Sequence, residues 1–116
     1  MVSAVFSGGY TVDAKLTVKP VNTVALVGTS VRLNSTTNWD GPSEGITWYR
    51  IIRNGDDQLT DRNCESRGYQ EYNFIRNSAG QCDLVIIDVS YELAATYRCF
   101  DPEGSTADAQ LTVVRE

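Results

Sequence analysis

Short alternating runs, each closed by turn residues, dominate the chain. Lys15-Leu16-Thr17-Val18 alternates and stops near Pro20, a residue tolerated at a sheet edge or where a strand changes sheets. Thr23 to Val27 follows, then a turn at Gly28-Thr29-Ser30. Val31 to Ser35 alternates cleanly, with Val31, Leu33 and Ser35 on one face. A polar stretch with Gly41-Pro42 and Gly45 reads as a loop. Ile46 to Ile52 is a strand around Trp48, closed by a turn at Asn54-Gly55-Asp56. Gln58 to Arg62 and Tyr72 to Ile75 read as further short strands. Asn77 to Gly80 turns the chain into Cys82 to Val89, where Leu84, Ile86 and Val89 face inward. Tyr91 to Ala95 suits a short helical turn. Ala95 to Phe100 and Ala107 to Val114 complete the set, and no stretch carries the period of a long amphipathic helix.

Such a series of short strands predicts an all-β, two-sheet sandwich. The 116 residues fit one domain. Residues 13–116 are read as that domain and residues 1–12 as a leader or N-terminal extension. Met1 to Tyr10 has neither a basic start nor a long apolar run, so no intact signal peptide is expected there. No apolar run reaches the roughly 18–20 residues that span a bilayer.

Charge and residue usage narrow the chemistry. The net charge of −5 disfavours nucleic acid and anionic membrane surfaces as partners. Histidine is absent, which removes the commonest general base and the commonest metal ligand. Asp56-Asp57 is read as turn chemistry rather than as a catalytic pair. No enzyme activity, metal or cofactor is expected. Cys64, Cys82 and Cys99 are too few for a disulfide-built miniprotein and badly spaced for zinc. An odd count leaves one thiol over, or paired between chains.

The residues from 14 to 115 resemble the immunoglobulin superfamily, variable-type set. Trp48-Tyr49-Arg50 is similar to the family's strand C with its core tryptophan. Leu84-x-Ile86-x-x-Val89 resembles strand E. Ala95-Thr96-Tyr97-Arg98-Cys99 resembles strand F, with Tyr97 as the tyrosine corner two residues before the cysteine. Gln110 to Val114 resembles the last strand. The resemblance implies an antiparallel Greek-key sandwich of variable type, with Trp48, Leu84, Tyr97 and Cys99 in its core. The spacing between Ser35 and Cys99 leaves room for C′ and C″ strands.

The departures from that pattern are informative. Ser35 stands where the strand-B cysteine should be, so the usual inter-sheet disulfide cannot form. Leu93 stands where an aspartate often precedes the cysteine by six residues, so the usual buried Asp–Arg pair is expected to be lost. The Phe-Gly-x-Gly joining pattern is missing at Ser105 to Asp108, which points away from an antigen-receptor chain. Against the family frame, a Cys64–Cys82 bridge is the favoured compensation for the lost disulfide. Three free thiols in a reducing compartment is the other reading. Cys82–Cys99 is disfavoured because strand E does not normally face strand F.

Alternation on the strands that would form the G-F-C-C′ sheet points Tyr49, Ile51, Arg98 and Phe100 outward, and these residue types suit a protein interface. The resemblance implies that this sheet meets a protein partner, as a homodimer or with a different chain. Trp39 and Asp101 lie in two loops at one end, which Asp40, Glu44 and Glu103 make acidic and attractive to a basic partner. Asn34-Ser35-Thr36 is an N-glycosylation sequon, with Asn34 facing solvent on the opposite sheet. The expected role is a secreted or cell-surface recognition or adhesion module. The alternatives are a structural module of a multidomain extracellular protein, or loop-mediated recognition of a microbial or carbohydrate ligand.

Overall fold

A computed structural model describes residues 16–38, 45–53 and 55–115. The predicted extension at 1–12 and the loop residues Trp39, Asp40 and Glu44 lie outside these. Among the described residues ten strands form: β1 (Leu16–Val18), β2 (Thr23–Leu26), β3 (Val31–Leu33), β4 (Thr36–Thr37), β5 (Thr47–Ile52), β6 (Gly55–Gln58), β7 (Tyr72–Ile75), β8 (Asp83–Ile86), β9 (Ala95–Phe100) and β10 (Thr106–Val114). A 3-10 turn, Tyr91–Leu93, precedes β9. One sheet runs β2-β10-β9-β5-β6, another β3-β8-β7, and β1 pairs with β4. Every pairing is antiparallel except β2 on β10. Pro20 falls between β1 and β2, where the chain leaves its pairing with β4 for the edge of the five-stranded sheet. A residue without a backbone donor suits that crossing.

Period-two alternation builds the core. Trp48 on β5, Tyr97 and Cys99 on β9, and Ala109, Leu111 and Val113 on β10 are buried from one sheet. Val31, Leu33, Leu84 and Ile86 meet them from β3 and β8, in a single apolar cluster. This two-layer arrangement is an immunoglobulin-like sandwich.

Ser35 is held in the core by hydrogen bonds. It is fully buried, and its hydroxyl donates to the Cys82 carbonyl. The Trp48 indole donates to the same carbonyl at 2.7 Å. The disulfide lies elsewhere: Cys64 is bonded to Cys82, and Cys99 is a buried free thiol. The bridge closes a separation of 18 residues, worth about 3 kcal/mol in the loop-entropy picture. At the other end of β9, the Tyr97 hydroxyl donates to the Leu93 carbonyl at 2.6 Å. Tyr72 then donates to Tyr97 at 3.1 Å. Leu93 is buried, and the Arg50 guanidinium donates to the neighbouring Glu92 carbonyl at 3.0 Å.

Three local expectations need correction. The β5–β6 hairpin turns earlier than Asn54-Gly55-Asp56, because Gly55 already pairs with Ile52 and Asp56 with Ile51. Asp56 and Asp57 are therefore strand residues. The strand expected from Gln58 to Arg62 does not form. Thr60 instead turns its hydroxyl to accept the Trp48 amide at 2.9 Å, and Leu59 and Cys64 are buried beside it. Last, no second extra strand follows β6 among the described residues. Cys64 at φ 64 and Gly68 at φ 105 bend the backbone out of extended geometry, and the bond to Cys82 draws the segment inward.

Candidate protein interface

The outer face of the five-stranded sheet is assembled by strand register. Directly opposed residues on antiparallel strands share a face. One row is Thr106, Phe100 and Thr47; the next is Asp108, Arg98, Tyr49 and Gln58; the third is Gln110, Thr96, Ile51 and Asp56. The inward residues between them, Trp48, Tyr97 and Cys99, fix the direction of the outward ones. Tyr49, Ile51, Arg98 and Phe100 therefore come together on one face, each half-buried by its neighbours.

Two contacts order this face. Tyr49 and Phe100 pack edge to face, with ring centroids 5.1 Å apart and planes at 73°. Such pairs hold two large rings in defined positions before any partner arrives. Arg98 forms a two-pronged pair with Asp108, Nε to Oδ1 at 2.6 Å and Nη2 to Oδ2 at 2.9 Å. That hydrogen-bonded pair raises the Arg98 pKa further and holds the Asp108 carboxyl below the usual carboxylate range.

Asp101 is placed differently from the expectation of an exposed loop acid. It is 4% exposed. Its Oδ1 accepts the amides of Glu103 at 2.9 Å and Ser105 at 2.8 Å, and its carbonyl accepts Gly104 N at 3.1 Å. The run Asp101-Pro102-Glu103-Gly104 has the residue preferences of a type I turn, with Asp first, Pro second and Gly fourth. Turn chemistry was thus the signal for its burial. Beside this turn, between Phe100, Tyr49 and Arg62, lies a recess of about 320 Å³ that alternation alone did not reveal. Thr47, Gln58 and Asp108 also belong to the face and were not singled out from the sequence.

The remaining predicted sites are dispersed. Trp39 lies outside the described residues. Asn34 is exposed between buried Leu33 and Ser35, at the end of β3 on the other sheet. Cys99 sits behind this sheet face, where burial pushes its thiol up to about 12. At neutral pH it is a protonated, sequestered thiol and a poor nucleophile.

No family model matches the chain, and no curated protein sequence matches it. Solved structures do match. A chain from the crystal structure of Dpr1 IG1 bound to DIP-eta IG1 superposes with a TM-score of 0.76 at 22% identity, covering 91% of this chain and 100% of that one. The RIG-5 IG1 homodimer gives 0.75 at 16% identity, covering 87% and 97%. At these identities the likeness is one of fold. This chain has the immunoglobulin-like fold, and both of these neighbours are immunoglobulin domains captured in complexes.

Proposed function

We propose that this domain is a variable-type immunoglobulin recognition module that binds another protein through the outer face of β10, β9, β5 and β6. The observation that carries the reading is the ordered Tyr49–Phe100 pair, flanked by Arg98 and Ile51 on a half-buried sheet face. Aromatic and arginine anchors that are already held in place lose little freedom on binding. The neighbouring folds support it, being found in one complex between two named domains and in one homodimer. A second copy of this chain is the partner to test first.

The Cys64–Cys82 bond favours an oxidising compartment, which agrees with a secreted or cell-surface location. The exposed Asn34 sequon lies on the opposite sheet, so a glycan there would leave the proposed interface bare.

Sedimentation over a concentration range tests the reading on wild type and Phe100→Arg. We expect a wild-type dimer that the variant abolishes. A dimer that survives in the variant removes this face from the interface. A monomer at every concentration ends the homophilic form and leaves a different protein partner.

A further inference from the structure

We propose that the recess beside the Asp101–Gly104 turn is a socket for one cationic side chain of the protein partner, received by the buried carboxylate of Asp101. The inference rests on the sheet-face reading above and names the chemistry of the partner. Asp101 lines the recess together with Thr47, Tyr49, Phe100, Pro102 and Gly104. One of its oxygens is spent on the turn's own amides. The other, Oδ2, is buried with no hydrogen-bond partner. Buried polar atoms are almost always satisfied, so an orphaned carboxylate oxygen at a recess calls for a donor from outside. The turn needs only Oδ1, which leaves Oδ2 without a local task.

The surroundings favour a cation over a neutral donor. A carboxylate held away from water interacts strongly with an incoming positive charge. Arg62, an exposed residue, also lines the recess. Tyr49 and Phe100 add ring surfaces of the kind that attract guanidinium and ammonium groups. The volume suits a single long side chain. Oδ2 is buried in the free domain, so the guest reaches it only by pushing aside part of the recess lining, of which Gly104 is exposed.

The test is a titration of the isotope-labelled domain with the N-acetyl methylamides of arginine and lysine, with the citrulline compound as a neutral control. The Glu103 and Ser105 amide signals report on the carboxylate. We expect saturable shifts with both cations and at least tenfold weaker binding of citrulline. Asp101→Asn keeps Oδ1 for the turn and replaces Oδ2 with a donor. It should lose the response while remaining as stable as wild type; a purely structural role, carried by Oδ1, predicts the unchanged stability but no cation response to lose. Equal binding of citrulline, an unchanged response in Asp101→Asn, or no saturable shift overturns the socket. If Asp101→Asn fails to fold, Thr47→Phe plugs the recess with Asp101 intact, and a response that persists there overturns it. A dimer abolished by Phe100→Arg in a domain that ignores the cations overturns the socket alone. A cation response in a domain whose dimer survives Phe100→Arg overturns the sheet-face reading alone.

Discussion

Two arginine–aspartate pairs, one on each sheet, use the same chemistry in opposite ways. On the three-stranded sheet, Asp83 is almost fully buried and receives Arg32 Nη2 at 2.7 Å and Nε at 3.1 Å on one oxygen. That oxygen also accepts Gln81 Nε2 at 2.8 Å, and the other accepts the Ser35 amide at 3.0 Å. Asp83 is thus a knot that ties β3 to β8 beside the Ser35–Cys82–Trp48 cluster. On the five-stranded sheet, Arg98 and Asp108 keep side-chain exposures of 34% and 43%. They have the better fork geometry, yet among the described residues neither carboxylate oxygen of Asp108 takes a second hydrogen-bond donor. Burial rather than bond length decides which pair belongs to the fold. A pair that the fold does not need is one that a partner can use.

Asp83→Ala should produce the largest change. It strips the buried Ser35 amide of its acceptor and leaves Arg32 without its anion, a loss of about 2–4 kcal/mol. Urea unfolding measures it, and a cost equal to that of Asp108→Ala would break the comparison. High pH gives a smaller effect, from the inward residues of β9 that alternate with Arg98. Burial raises both the Cys99 thiol, to about 12, and the Tyr97 phenol. Their ordinary values are 9.0 and 10.0. Both contributions are whole below the unfolded values, where either state holds its proton. They are lost as pH rises toward the folded values, because only the unfolded chain then sheds protons. The thiol alone should cost on the order of 1 kcal/mol between about pH 9 and 10. In Cys99→Ala, thermal melts across this range should lose the earlier part of the slope and keep the tyrosine part.

How much of this was legible in the sequence follows the same division. Alternation places β5, β9 and β10 and aims Tyr49, Ile51, Arg98 and Phe100 outward, because one side of each strand must reach the core. The register that sets Tyr49 opposite Arg98, and Arg98 opposite Asp108, is a property of strand pairs and has no trace in a single run. Asp83 was invisible for a related reason. Its partners Arg32, Ser35 and Gln81 are joined by pairing and by the segment leading into β8, and nothing in Cys82-Asp83-Leu84 marks a buried acid. Ser35, by contrast, stood out, since its phase with Val31 and Leu33 required it to be inside. The segment after Gln58 misled because Leu59 and the β-favouring Thr60, set among polar residues, read as a short strand. The disulfide at Cys64 and the hydroxyl of Thr60 give those residues other work.

Arg98→Ala should have the smallest effect on stability and the sharpest effect on the comparison. An exposed pair is screened and contributes little, so the unfolding midpoint should hardly move. Its pH signature is equally slight. Asp108 is held below its usual range, so the pair persists above the unfolded pKa and is lost only as pH falls through the lowered folded one. The outcome changes once a partner covers the face. Removing Arg98 then leaves Asp108 desolvated without its cation, which speeds dissociation. Self-association should weaken at least tenfold in Arg98→Ala and recover in part in the double variant with Asp108→Ala, where neither charge is stranded. Sedimentation on the three proteins separates the cases. An Arg98→Ala dimer as tight as wild type would mean that this pair stays in water when the domain associates. The interface would then centre on Phe100 and the recess beside it, away from the middle row of the sheet.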